Sequence, residues 1–279
     1  MRFEPLLKIS NLTRDFSPLI HCITNYVTVN DCANVLLAIG ASPVMADAKE
    51  EVEEFVSISS GLVLNLGTIN SRVANSMLLA GKKANELGVP VVLDPVGVGA
   101  TKFRLETALQ LLESVRFTAI RGNISELKTL TLGVGAVKGV DALEDDAVTE
   151  TNIKAFGDIL KPFAKRTESV LVATGALDLI TDGESVLGVE NGSPKMAKIT
   201  GAGCMLSCVL CAYVSAVVKS QSPFSMLETA AAATCAFGFF GETAEMNYRG
   251  IGSFRSALLD AATVLSGDDL VNCAKIKRI

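Results

Sequence analysis

The sequence predicts an α/β fold with a mostly parallel central sheet flanked by helices on both faces. Short Val/Ile/Leu runs alternate with longer stretches of helical periodicity, the pattern of βαβ units. The composition is aliphatic: 49% of the 279 residues are hydrophobic, only 5% are aromatic and Trp is absent. Such a core, built of Val, Leu, Ile and Ala, suits a parallel sheet covered on both sides. Finally, polar residues and glycines follow the apolar runs again and again, where open α/β sheets bind their ligands.

The runs predicted as strands are Leu19–Thr24, Pro43–Ala46, Leu62–Leu66, Val89–Leu93, Thr118–Ile120 and Val170–Ala173. Between the second and third, a helical run across Gly40–Ser60 carries Lys49, Glu50, Glu51, Glu53 and Glu54, read as a solvated helix start. The clearest helix is Asn70–Leu87. Asn70 suits its cap, and Val73, Met77, Ala80, Ala84 and Leu87 recur at spacings of four and three. Gly88 supplies a left-handed stop before Pro90. After Lys198 the alternation ends, and three helical stretches follow: Gly203–Lys219, Phe224–Met246 and Phe254–Leu265. No Pro- or Ser-rich linker and no repeat interrupts the chain, so one domain over residues 1–279 is expected. Ile199–Val218 has no charge and is long enough to span a bilayer. It opens on a glycine-rich loop and is rich in Ala, Ser and Cys, so a buried core helix is expected.

The net charge of −5, with no basic stripe, gives no footprint of a nucleic-acid binder. The hydrophobic fraction argues against disorder. Seven cysteines, an odd number, lie mostly in apolar surroundings. Residues 1–10 include Arg2, Glu4 and Lys8 and no apolar run of signal-peptide length. Reduced thiols in a cytoplasmic protein are therefore expected, with no membrane or nucleic-acid partner.

Five strand ends present groups suited to binding: Asn25; Asn65 with Gly67; Asp94 with Gly97 and Gly99; Arg121, Gly122 and Asn123, followed by Glu126; and Thr174. A further turn, Thr200-Gly201-Ala202-Gly203-Cys204, opens an apolar helix. Free N–H groups and the positive end of the helix dipole stabilise a phosphoryl group there. The same turn also serves as a tight strand-to-helix connection. Other nucleotide motifs are missing: there is no Gly-x-x-x-x-Gly-Lys-Ser/Thr and no glycine triplet of dinucleotide spacing. Asp94 and Glu126 are the best Mg²⁺ candidates, since that ion takes a few carboxylates plus phosphate oxygens and water. Each also has a local role: Asp94 as a turn residue before Pro95, Glu126 in a capping box with Asn123.

Together these residues carry a resemblance. His21-Cys22-Ile23-Thr24-Asn25-Tyr26-Val27-Thr28, Gly40–Met45, Asp94–Gly97, Arg121–Glu126 and the Thr200–Cys204 turn, in that order, resemble the signatures of hydroxyethylthiazole kinases. The matches cover roughly residues 17–260. The resemblance implies a ribokinase-like fold, phosphorylation of a thiazole alcohol by ATP with Mg²⁺, and a place in thiamine synthesis or salvage. It also implies a homotrimer with thiazole sites at subunit boundaries. By position, Met45 and Gly201 would bind the thiazole, with Asn25, Val27 and Asn65 near it. Arg121, Asn123 and Thr174 would contact ATP, and Asp94 and Glu126 would hold or orient Mg²⁺. Gly201, Ala202 and Gly203 would supply stabilising amides beside Cys204. Most ribokinase-like enzymes are expected to carry Asp where this chain has Cys204. A thiol at a helix N-terminus is expected to have a lowered pKa, yet it would be a poor base for an alkanol. Cys204 is therefore expected to position the hydroxyl. The sequence departs from the family pattern at Ser193-Pro194-Lys195, where a more apolar loop is expected, and in Gly-Ala-Gly-Cys for Gly-Thr-Gly-Cys.

Rival readings have their own residues. Cys204, Cys208 and Cys211 have the C-x₃-C-x₂-C spacing of radical S-adenosylmethionine enzymes, but i, i+4, i+7 is equally one face of a buried helix. A kinase of the same fold acting on hydroxymethylpyrimidine or a sugar would favour Asp at position 204. A non-catalytic trimeric binding protein would have no need of Asp94, Glu126 and the glycine turn together.

Overall fold

A computed structural model describes residues 4–133, 148–264 and 266–279. Elements alternate as α1 (Glu4–Phe16), β1 (Leu19–Ile23), α2 (Val29–Ala38), β2 (Ser42–Val44), α3 (Val52–Ile58), β3 (Gly61–Asn65), α4 (Ser71–Leu87), β4 (Val91–Asp94), α5 (Lys102–Ser114), β5 (Ala119–Asn123), α6 (Ile124–Gly133), α7 (Ile153–Thr167) and β6 (Val170–Thr174). Then come β7 (Asp178–Thr181), β8 (Val186–Val189), a 3₁₀ helix (Pro194–Lys198), α8 (Ala202–Lys219), α9 (Met226–Met246), α10 (Ile251–Val264), α11 (Gly267–Cys273) and β9 (Ile276–Arg278).

Among the described residues, nine strands form one sheet in the order β2-β1-β3-β4-β5-β6-β7-β8-β9. The pairs from β2 to β6 are parallel and those from β6 to β9 antiparallel. The inner strands are buried on both faces, and their side chains alternate between two cores. Val63, Val92, Ala119, Val172 and Ile180 join α1, α2, α8, α9 and α10 on one face. Leu64, Leu93, Ile120, Leu171 and Leu179 join α3 to α7 on the other. The expected α/β architecture with helices on both faces is what the chain adopts.

The predicted helix from Asn70 holds in detail. The Asn70 side chain accepts from the Val73 amide, and Gly88 ends the helix at φ 68°. The charged run is the exposed start of a helix, as expected, with Glu51 at the N-cap and Glu53 and Glu54 in the first turn of α3, but the helix is shorter than the predicted stretch. Gly40–Ser60 is not one helix: β2 occupies Ser42–Val44, a turn carries Lys49 and Glu50, and only Val52–Ile58 is helical. Pro43–Ala46 likewise pairs only as far as Val44. The three late helices are α8, α9 and α10, with Leu265 of the last predicted stretch outside the described residues. The apolar α8 is long enough to cross a membrane but is almost wholly buried, packed against α9, α1, α2 and β3.

Candidate active site

In a parallel sheet the carboxyl ends of the strands lie along one edge, and register decides which side chains meet there. Asn65 ends β3 opposite Asp94, which ends β4. Asn123 ends β5 opposite Thr174, which ends β6. Helix α8 brings Cys204 and Ser207 over the same edge, one turn apart on one helix face.

The buried centre is a hydrogen-bonded chain. Asn25 Nδ2 donates to Asn65 Oδ1 at 3.1 Å and to Cys204 Sγ at 3.3 Å. Asn65 Nδ2 donates to Cys204 Sγ at 3.3 Å and to Asp94 Oδ2 at 2.7 Å. Ser207 Oγ adds a 2.9 Å bond to the same carboxylate oxygen. Asp94 Oδ1 is buried without a hydrogen-bond partner among the described residues and lies 3.6 Å from Arg121 Nη1. Burial drives the Asp94 pKa up; Arg121 opposes this and Glu126 adds to it.

Burial also raises the pKa of Cys204, with the neighbouring Asp94 charge as the next cause. The lowered thiol pKa expected at the start of α8 is thus corrected. The helix dipole does favour a thiolate there, but a desolvated sulfur beside a carboxylate is held protonated. Cys208 and Cys211, on the same buried helix, face other partners: Cys22 Sγ lies 3.9 Å from Cys208 Sγ, and Ser215 Oγ the same distance from Cys211 Sγ.

The glycine turn fits tightly. Gly201 caps α8 at φ 93°, and a Cβ there would lie 2.7 Å from Thr28 Cγ2. A Cβ on Gly203 would lie 2.3 Å from Arg121 Nη1. The guanidinium therefore rests against the helix start, held by a 2.7 Å bond from Nη2 to Thr174 Oγ1.

Arg121 and Gly203 also line a cleft of about 520 Å³, walled by Thr174, Asp178, Pro194, Met196 and Phe237 among others. Asp178 accepts from the Gly175 amide at 2.8 Å, and desolvation pushes its pKa up to about 7. The divergent Ser-Pro-Lys segment forms one wall. Ser193 caps the 3₁₀ helix and bonds Glu245, and Lys195 lies over the Tyr248 ring. Another groove lies at the amino ends of the strands, beside Pro90, Thr118 and Val170, and carries none of the strand-end groups.

Glu126 fills its local role: Oε2 accepts from the Asn123 amide and Oε1 from the Gly97 amide, both at 2.8 Å, while the Glu126 amide donates to Asn123 Oδ1. Asn123 is exposed and engaged in this exchange. Met45 is half-buried on the segment after β2, and Val27 is exposed on the loop after β1. Three contributors escaped the sequence reading. Ser207 was recognisable only as the residue one turn beyond Cys204, and Thr28 only as the abutment of Gly201. Arg104 of α5 binds the carbonyls of Leu66, Gly67 and Val96 and so ties together the loops after β3 and β4. Nothing in its helix marks it.

Comparison with known proteins shows the family of the chain. The family described as HK: Hydroxyethylthiazole kinase family matches residues 9–268. A hydroxyethylthiazole kinase of Clostridium acetobutylicum is 52% identical over 265 residues, covering 94% of this chain and 95% of that protein. One of Clostridium beijerinckii is 44% identical over the whole of both chains. Among solved structures, the hydroxyethylthiazole kinase protein of Pyrococcus horikoshii OT3 superposes with a TM-score of 0.86 at 32% identity, over 98% of each chain. A pyridoxal kinase of Staphylococcus aureus in complex with ADP gives 0.61 at 14% identity, over 94% of this chain and 98% of that one, and shows likeness of fold alone.

Proposed function

We propose that this chain, which belongs to the hydroxyethylthiazole kinase family, transfers the γ-phosphoryl group of ATP to the hydroxyl of 4-methyl-5-(2-hydroxyethyl)thiazole, in thiamine biosynthesis or salvage. One observation carries the reading. At the start of α8, Cys204 belongs to the buried polar centre while Ala202 and Gly203 line the cleft beside Arg121, so one helix N-terminus serves both an alcohol and a nucleotide.

In this reading Met45 and Gly201 bind the thiazole, with Asn25, Val27 and Asn65 beside it. Arg121, Thr174 and Asn123 serve the ATP side. The amides of Gly201, Ala202 and Gly203 stabilise the transferring phosphoryl group as charge spreads over its oxygens. Cys204, protonated, positions the hydroxyl. The hydroxyl's proton leaves late and passes to an oxygen of the transferred phosphoryl group, because the transfer goes through a loose transition state. A Mg²⁺ ion fits the donor set. Asp94 presents a buried oxygen that has no hydrogen bond among the described residues and the Arg121 guanidinium 3.6 Å away, Glu126 holds its two oxygens on the Gly97 and Asn123 amides by the ends of β4 and β5, and two carboxylates suffice when phosphate and water complete the shell. Asp94 and Glu126 would hold the ion, which supplies neutralisation of the phosphate charge.

Tyr26 and Val27, 60% and 65% exposed, lie on the loop beside Asn25. Their exposure supports a homotrimer whose sites lie at subunit boundaries. The free cysteines support a cytoplasmic setting. The continuous sheet supports one domain over the whole chain.

The test is ADP release from ATP and Mg²⁺ with the thiazole alcohol, hydroxymethylpyrimidine and ribose supplied separately. Turnover with the thiazole alone is expected. Turnover only with the pyrimidine or the sugar would overturn the acceptor, and none with any would leave a binding protein.

A further inference from the structure

His21 is the chain's one histidine, and none of the chemistry above uses it. It stands in the middle of β1 with no exposed surface. Its Nε2 lies 2.8 Å from the carbonyl oxygen of Ala46. A carbonyl only accepts, so Nε2 carries the proton and Nδ1 is left a bare lone pair. That Nδ1 is buried without a hydrogen-bond partner among the described residues. The ring otherwise meets Phe55 at 5.9 Å between centroids. An apolar side chain would fill such a place without leaving a buried nitrogen unpaired. What the imidazole supplies that an apolar side chain would not is the bond at Nε2.

What Nε2 does follows from the sheet. β2 is a three-residue edge strand, and its ladder with β1 ends at the pair His21–Val44. Beyond Val44 the chain leaves the sheet, and Met45–Ala48 is neither helix nor strand. The His21 side chain reaches two residues past its register partner and takes the Ala46 carbonyl. From outside, Arg72 holds the next residue, with bonds of 3.1 Å to each carboxylate oxygen of Asp47. The segment that begins with Met45 is thus pinned from within the sheet and from the surface.

We propose that His21 is a positioning residue for the acceptor alcohol, its Nε2–H bond to Ala46 fixing the Met45 segment against the site. This rests on the reading that Met45 lines the thiazole pocket. Burial lowers the imidazole pKa, so the ring stays neutral near pH 7 and Nδ1 stays free of a proton it has no partner for.

The test compares the full-length protein with His21→Gln, His21→Asn and Met45→Ala by steady-state kinetics in both substrates, with urea unfolding of each. The Gln amide carries an N–H at about the reach of Nε2, and the shorter Asn amide falls short of Ala46. His21→Asn is expected to raise the KM for the thiazole about tenfold, the equivalent of one lost hydrogen bond. The KM for ATP stays as in wild type, and His21→Gln restores most of the loss. Equal thiazole KM values for Asn and Gln variants would overturn the proposal, as would a rise in both substrates' KM values that tracks the unfolding midpoint. If Met45→Ala raises the thiazole KM and His21→Asn does not, only the His21 assignment falls. If Met45→Ala leaves it unchanged, the reading of the pocket falls and the assignment falls with it.

Discussion

Replacing Cys204 with alanine separates a positioning thiol from a catalytic base. The sulfur accepts N–H bonds from Asn25 and Asn65 at 3.3 Å each. Both donors keep other partners when it goes, Asn25 on Asn65 and Asn65 on Asp94, so the fold and the asparagine geometry survive. What is lost is a hydrogen bond to the acceptor hydroxyl as charge builds on it. Bonds of that kind contribute about 1.5–3 kcal/mol, which at 1.36 kcal/mol per decade is about ten- to a hundred-fold in kcat. A general base contributes up to about 10⁴-fold. The pH profile gives a second discriminator. Because burial raises the thiol pKa, an abstracting thiolate would be scarce at neutral pH, and the rate would climb about tenfold per pH unit in the alkaline range. The expected result is that Cys204→Ala and wild type run parallel between about pH 7 and pH 9. A loss of more than about a thousand-fold with ATP binding intact would refute the reasoning. So would an alkaline rise present in wild type and absent from the variant.

Asp94→Asn is expected to lower kcat about 10²- to 10³-fold and to raise the Mg²⁺ concentration giving half-maximal rate; a variant with unchanged metal dependence would remove Asp94 from the metal site. Gly203→Ala puts a methyl group 2.3 Å from Arg121 Nη1 and displaces the guanidinium from Thr174. The KM for ATP should rise about tenfold, as for one lost hydrogen bond to a charged group, while the thiazole KM stays put. The buried imidazole sets a stability trend: its folded pKa is lowered, so below the unfolded value of about 6.5 the unfolded chain takes up a proton that the fold refuses. Stability should fall as pH drops from about 6.5, by up to about 1.4 kcal/mol per unit from this group. Urea midpoints at about pH 7 and pH 5.5 should then converge more for His21→Gln than for wild type; equal losses would show that His21 titrates normally in the fold.

The parallel half of the sheet was legible because each strand there is a short aliphatic run closed by a polar residue or glycine. Asn25, Asn65, Asp94 and Thr174 stand at or just beyond the ends of those strands. The antiparallel edge was not. Asp178–Thr181 and Val186–Val189 are short, and their signal was the Asp182-Gly183 turn, with Gly183 at φ 94°. Ile276–Arg278 pairs with β8 across an interval of four helices, a contact that no local pattern announces. At Lys49–Glu54 the charges do mark a solvated helix start, but nothing in them announces the strand Ser42–Val44 before it or a helix of only seven residues. The Cys204 pKa was misread because helix position is visible in a sequence and desolvation is not. Only the packed α8 shows that the sulfur is buried beside Asp94.

The same packing explains why the polar centre has one arrangement. Asparagine amides are nearly symmetric in shape, so their orientation must be imposed from elsewhere. Asn25 Oδ1 accepts from the main-chain amides of Val27 and Thr28, which turns its Nδ2 toward Asn65 and Cys204. Asn65 Oδ1 accepts from Asn25 and from the Gly67 amide, which turns its Nδ2 toward Cys204 and Asp94. Flipping either amide would face oxygen with oxygen or donor with donor, in a buried place where an unmade bond is costly. Donor direction at the sulfur and at the carboxylate is therefore dictated by three backbone N–H groups at the ends of β1 and β3. Those groups belong to the turns themselves, so the polarity of the site is fixed when the strands end, before any substrate arrives.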